Sequence, residues 1–140
     1  MDRHGEAHIL RTHAAQVCVA LAALAAQAPR ATAQGLPAGH GSWSASSIQL
    51  AGAFAVALWI DAVQTREAAR RGYEELNPIL GPHPSIGRVN TYTALAGLTV
   101  LGAAAAVPAR VRPWVLGAAL AVETFAIAGN ARAGLAVRFP

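Results

Sequence analysis

The sequence predicts an all-α fold: a three-helix transmembrane bundle preceded by a signal-peptide-like segment. Three observations carry this expectation. Of 140 residues, 54% are apolar and only 13% are charged, about half the charge of an ordinary soluble domain. Three apolar stretches between residues 46 and 130 are each long enough to span a bilayer. The amino terminus combines a basic region, a short apolar run and a small-residue cleavage pattern. The same composition excludes a disordered chain, which needs low hydrophobicity and high charge. Cys18 is the one cysteine, so a disulfide scaffold is excluded as well. The length allows one domain at most.

Residues 1–33 read as a secretory signal. Arg3 and Arg11, lengthened by His4, His8 and His13, give a positive start. The apolar run 14–26 follows. As a helix it reaches about 20 Å, short of a hydrocarbon core of about 30 Å. Ala31-Thr32-Ala33 then forms a cleavage pattern before Gln34. Cys18 lies inside the apolar run and not at the cleavage point, which argues against lipidation. Residues 34–45, with Gly35, Pro37, Gly39 and Gly41, read as a flexible extracytoplasmic lead-in, and His40 as part of that loop.

Residues 46–140 form the expected membrane domain. Its first helix is expected over 46–65, its second over 90–107, stopping at Pro108, and its third over 113–130. Pro113 suits a helix start, where a missing amide proton costs nothing. Alanine-rich spans insert weakly and depend on packing against each other. Ala51 with Ala55, and Gly117 with Ala121, are small-x-x-x-small pairs that let helix backbones approach closely.

All eleven basic residues are arginine. They are scattered between the apolar stretches, with no basic face or aromatic interleaving, which excludes nucleic acid as a partner. Arginine in short loops marks the cytoplasmic side. The 66–89 connection and the tail hold six arginines, the 108–113 connection two. The long loop and the C-terminus are therefore expected in the cytoplasm, in a bacterial inner membrane. Trp43 and Trp114 then lie at the outer interface, Tyr73 and Tyr92 near the inner one, and Trp59 reads as a packing residue.

Within the cytoplasmic loop, Glu67–Arg71, Arg70–Glu74 and Arg71–Glu75 are i,i+4 opposite-charge pairs, able to prolong the first helix or build a short interfacial one. Gly72 weakens it and Asn77-Pro78 ends it. Gly81-Pro82-His83-Pro84-Ser85 makes a rigid turn, with Ser85 offered as an N-cap for the second helix or a lead-in to it.

These residues carry a resemblance. Asp61-x-x-Gln64-Thr65, then Gly72-Tyr73-x-Glu75-x-Asn77-Pro78-Ile79-Leu80-Gly81-x-x-Pro84-Ser85, then Asn90-x-Tyr92, Glu123 and Asn130-x-x-x-Gly134 span about residues 61–137. Together they resemble a family of small bacterial and prophage-associated multi-pass membrane proteins. The resemblance implies a multi-pass architecture and brings no particular activity with it.

Glu123 sits near the middle of the third apolar stretch. A carboxylate at bilayer depth costs on the order of 3 kcal/mol and must be protonated or find company. Asn130 follows seven residues later on the same helical face. Asp61 and Gln64 lie near the cytoplasmic end of the first helix, Asn90 and Thr93 open the second, and the loop adds Glu75, Asn77 and His83. All are expected to converge at one end of the bundle. Three readings follow. In the first, Asp61, Gln64, Asn90, Glu123 and Asn130 tie helices and loop together, each hydrogen bond contributing about 1 kcal/mol. In the second, Asp61, Glu75, His83 and Glu123 form a metal- or proton-handling site, since oxygen and imidazole ligands suit several divalent ions. No spacing places two such ligands on one helix, however. In the third, the protein is a membrane-active oligomer of the phage-holin type.

The sequence points away from an enzyme and names no cofactor. It has no G-x-S-x-G, no Gly-rich phosphate loop and no Cys/His pair after residue 33. Ser85 and His83 are two residues apart in a proline-bound turn, a poor geometry for nucleophile and base. The alternating tail 135–139 reads as a cytoplasmic extension. The expected partners are the lipid bilayer and, within it, a second copy of the chain or another membrane protein.

Overall fold

Ser44 starts the first helix: its Oγ accepts from the amide of Ser47 at 3.2 Å, satisfying one of the donors a helix start leaves open. The computed structural model describes residues 42–75 and 77–135. The expected signal segment 1–33, most of the lead-in and the tail 136–140 lie outside the described residues.

Helix α1 runs over Ala45–Arg70, 26 residues or about 39 Å. That exceeds a hydrocarbon core of about 30 Å, so its charged last turns, with Arg66, Glu67 and Arg70, reach beyond the apolar layer. Continuation past Thr65 follows from Ala68 and Ala69, both strong helix formers, and from the Glu67–Arg71 pair at 2.8 Å. The pair acts within one long helix, and among the described residues no separate interfacial helix forms. The helix closes at Gly72, which takes φ +72°. Its amide reaches the Ala69 carbonyl at 3.3 Å, and the Tyr73 amide reaches that of Ala68 at 3.0 Å. Glycine adopts this left-handed conformation without steric cost. Gly72 therefore terminates the helix where the sequence suggested only a weak point.

Helix α2 spans Ile86–Ala106 and is capped by Ser85, whose Oγ accepts from Arg88 N. It starts earlier than position 90, because the cap, and not the first apolar run, sets its origin. The connection between α1 and α2 is accordingly 71–85, shorter than the expected loop 66–89. A tight turn through Pro108 follows, its carbonyl accepting from Val111 at 2.8 Å and Arg112 at 3.2 Å. Helix α3 spans Arg112–Arg132 with Pro113 in its first turn. It closes as α1 does: Gly134 has φ +80°, and the amides of Gly134 and Leu135 reach the carbonyls of Ala131 and Asn130, both at 3.0 Å.

The most extensive helix contact is between α1 and α3. The two run parallel, with Trp43 and Arg112 adjacent at one end and Asp61 and Asn130 at the other. Helix α2 returns antiparallel between those ends. Phe54, Leu58 and Ala119 form the buried centre, with Ala96, Val100, Leu101 and Leu120 packed against it. Ala57, Ala62 and Ala104 are buried, so small residues do line the seams. They are not the expected pairs: Ala55 and Ala121 face outward. Buried positions on α1 (Phe54, Leu58, Ala62, Thr65) recur at helical spacing, and that register turns Ala55 away from α3.

Ile48, Val56, Leu95, Leu98 and Phe125 are exposed along the helices. A helix packed in water keeps its outer face polar; here that face is apolar. All three helices of the described residues are long and apolar enough to cross a membrane, the architecture of a multi-pass membrane protein. Trp59, expected inside, is 50% exposed on this outer surface.

Candidate functional site

The Schellman-like closure of α3 at Gly134 has a second effect: it turns the backbone back toward α1 and offers it the Leu135 carbonyl. Gln64 Nε2 donates to that oxygen at 2.9 Å. Gln64 is 3% exposed, and its Oε1 is buried with no hydrogen-bond partner. One turn earlier, Asp61 Oδ1 accepts from Asn130 Nδ2 at 3.0 Å. One half-turn later, Arg66 Nη1 donates to Asn90 Oδ1 at 2.8 Å. Thus α1 grips α3 twice and α2 once, all at the same end of the bundle.

The connection 71–85 is stitched separately. Glu75 Oε1 accepts from the Asn77 amide at 2.8 Å, and the Glu75 amide donates to Pro82 O at 2.9 Å. Asn77 Oδ1 accepts from Ile79 at 3.0 Å, a side-chain turn that asparagine favours. The Asn77 carbonyl then takes the amides of Leu80 and Gly81, both at 3.1 Å. Gly81 holds φ +73°, and Arg88 Nη2 reaches back to Ile79 O at 3.0 Å. Leu80 and Pro84 are buried. The connection is thereby held by its own hydrogen bonds and by Arg88.

The structure therefore joins Asp61 to Asn130, Arg66 to Asn90, and Glu75 to Asn77. It does not draw His83 in: the side chain is exposed on the loop. Thr93 spends its hydroxyl on Val89 O, at 2.9 Å within its own helix. Glu123 is half-buried and within the electrostatic reach of Asp61, which in turn feels Glu75. No hydrogen bond or ion pair to Glu123 is formed among the described residues. Nor, among them, do three or more His, Cys, Asp or Glu side chains come together in a group able to hold a metal ion.

Sequence reasoning missed two features. The Leu135 carbonyl is a backbone acceptor, which no side-chain pattern reveals; a glycine just past an apolar stretch, here Gly134, is a signal for the helix end that presents it. At the opposite end of the bundle, Arg112 is 1% exposed. Its Nε donates to Ala104 O at 2.8 Å, and its guanidinium lies 4.7 Å from the centre of the Trp43 ring. Counted by sequence as a loop charge, Arg112 is instead a buried bridge between α2, α3 and the start of α1. Trp114, 79% exposed, shares that end. Tyr73 and Tyr92 lie near the other.

Neither a protein-family model, nor a curated protein, nor a solved structure matches this chain.

Proposed function

We propose that this chain is a small integral protein of a bacterial inner membrane, with the 71–85 connection and the C-terminus in the cytoplasm. In this reading the polar residues at the inner leaflet hold the helices together and carry no reaction. The observation that supports it best is the Asp61–Asn130 hydrogen bond at 3.0 Å, made between two apolar spans where each polar group would otherwise lack a partner. In hydrocarbon such bonds keep helices in register and contribute about 1 kcal/mol each. The Gln64–Leu135 and Arg66–Asn90 contacts repeat the pattern beside it. The arginine asymmetry supports the orientation, with six toward the cytoplasm against two. The resemblance to small multi-pass bacterial membrane proteins is part of the same reading.

Reporter fusions after Gly81 and at the C-terminus test the orientation, and alkaline carbonate extraction tests integration. The expected result is a cytoplasmic signal at both junctions and release by detergent alone. An external signal at both overturns the orientation, and release by carbonate overturns the membrane assignment.

A further inference from the structure

Between α1 and α2, on the outer surface of the bundle, lies an open groove of about 480 Å³. Its walls are apolar: Phe54 and Trp59 from α1, Leu98 and Leu101 from α2. Its floor is narrow because Gly97 sits against Leu58; a Cβ on Gly97 would stand 3.2 Å from Leu58 Cδ2. One end differs from all the rest. There Arg66 lines the groove, held in place by its bond to the neutral Asn90. Among the described residues the ion pairs are those of Glu67 with Arg70 and Arg71, so Arg66 has no ion-pair partner among them.

The dimensions select an occupant. From Arg66 to Phe54 the α1 backbone rises about 18 Å. One leaflet of a hydrocarbon core of about 30 Å is about 15 Å deep. The groove thus begins at a cation at headgroup level and ends near the bilayer midplane. An anionic phospholipid has that form, a phosphate above an acyl chain one leaflet long, and basic pockets between membrane helices recognise such headgroups. We propose that this groove is a binding site for one acyl chain of an anionic glycerophospholipid, with its phosphate on the Arg66 guanidinium. The proposal rests on the reading that α1–α3 cross the bilayer, and it holds for either orientation of the chain.

Trp59 lies in the groove and supplies the probe. The full chain carrying Trp43→Phe and Trp114→Phe is reconstituted into vesicles containing either brominated phosphatidylglycerol or brominated phosphatidylcholine at equal mole fraction, and the quenching of Trp59 is measured. The expected preference for phosphatidylglycerol is about fivefold in apparent binding constant, the effect of one interfacial arginine. Arg66→Gln should equalise the two lipids, Arg66→Lys should keep the preference, and Ala94→Leu, which fills the groove, should abolish it. Equal quenching by both lipids in the parent protein, or a preference that survives Arg66→Gln, overturns the proposal and leaves the membrane assignment standing. No quenching by either lipid overturns both.

Discussion

Asn130 and Asp61 are 69 residues apart in the chain and 3.0 Å apart in space. Asp61 is the seventeenth residue of α1 and Asn130 the nineteenth of α3, so the bond also fixes the axial register of two parallel helices. Apolar packing alone sets register weakly here. Both spans are rich in alanine and present little relief for ridges to engage, while one amide–carboxylate contact in a low-dielectric layer has a single geometry.

Removing the donor should therefore cost more than neutralising the acceptor. Asn130→Ala is expected to lower stability by about 1 kcal/mol, read from SDS-induced unfolding in mixed micelles. Asp61→Asn keeps an oxygen that accepts from Asn130 and should change stability by no more than about 0.5 kcal/mol. Equal losses in the two variants would show that the charge of Asp61, and not the bond, carries the contact.

At the opposite end, Arg112 should be the most sensitive polar residue. Arg112→Met loses a charge-assisted hydrogen bond to the Ala104 carbonyl and the stacking on Trp43, together about 2–4 kcal/mol. Trp43→Ala should cost about 1 kcal/mol and Trp43→Phe less, since a phenyl face still attracts the cation. A double-mutant cycle of Arg112→Met with Trp43→Ala checks this: additive losses would mean that the two side chains do not interact.

These two contacts differ in how far the sequence announced them. Polar residues inside apolar stretches are conspicuous, so the convergence of Asp61, Asn90 and Asn130 at one end was readable from position alone. Gln64 was equally visible, but its partner is a backbone carbonyl exposed by a glycine-closed helix end. Arg112 was misread because an arginine beside a proline at the head of an apolar stretch has the pattern of a loop charge. What buries it is the 107–111 turn and the aromatic ring of Trp43, a tertiary arrangement. Trp59 went the other way: large and apolar, it suggested a core, but in lipid the outside of the bundle is apolar too, and hydrophobicity ceases to distinguish inside from outside. The three spans were legible because length and composition determine them; their facing was not, for that reason.

The glycine closure of α3 gives a test of backbone chemistry. Gly134 has φ +80° with nothing within 4 Å of an added Cβ, so Gly134→Ala carries only the left-handed penalty, about 1–2 kcal/mol. Should the turn relax to escape that penalty, the Leu135 carbonyl leaves Gln64. Gly134→Asn should recover part of the loss, because asparagine tolerates this conformation. Gly52, inside α1 and likewise without a neighbour within 4 Å, should respond with the opposite sign: Gly52→Ala is expected to stabilise by up to about 1 kcal/mol. Thermal unfolding in one detergent compares all three. A stable Gly134→Ala variant would mean that α3 ends in another way.

Glu123 separates a packing role from a chemical one. It makes no hydrogen bond among the described residues, unlike Asp61, so no helix-to-helix hydrogen bond seen there depends on its carboxyl group. Glu123→Gln should therefore leave insertion and unfolding as they are. Glu123→Leu should improve both, since leucine at a helix centre favours insertion where an acidic residue opposes it by on the order of 3 kcal/mol. Membrane-insertion efficiency and SDS unfolding read the two effects independently. The informative outcome is a split: if Glu123→Leu inserts and folds better yet cells expressing it lose a growth or survival phenotype that Glu123→Gln retains, the residue serves a polar contact made in the cell. If both variants lose it, an ionisable group is required at that depth, and the purely structural reading of the polar end fails.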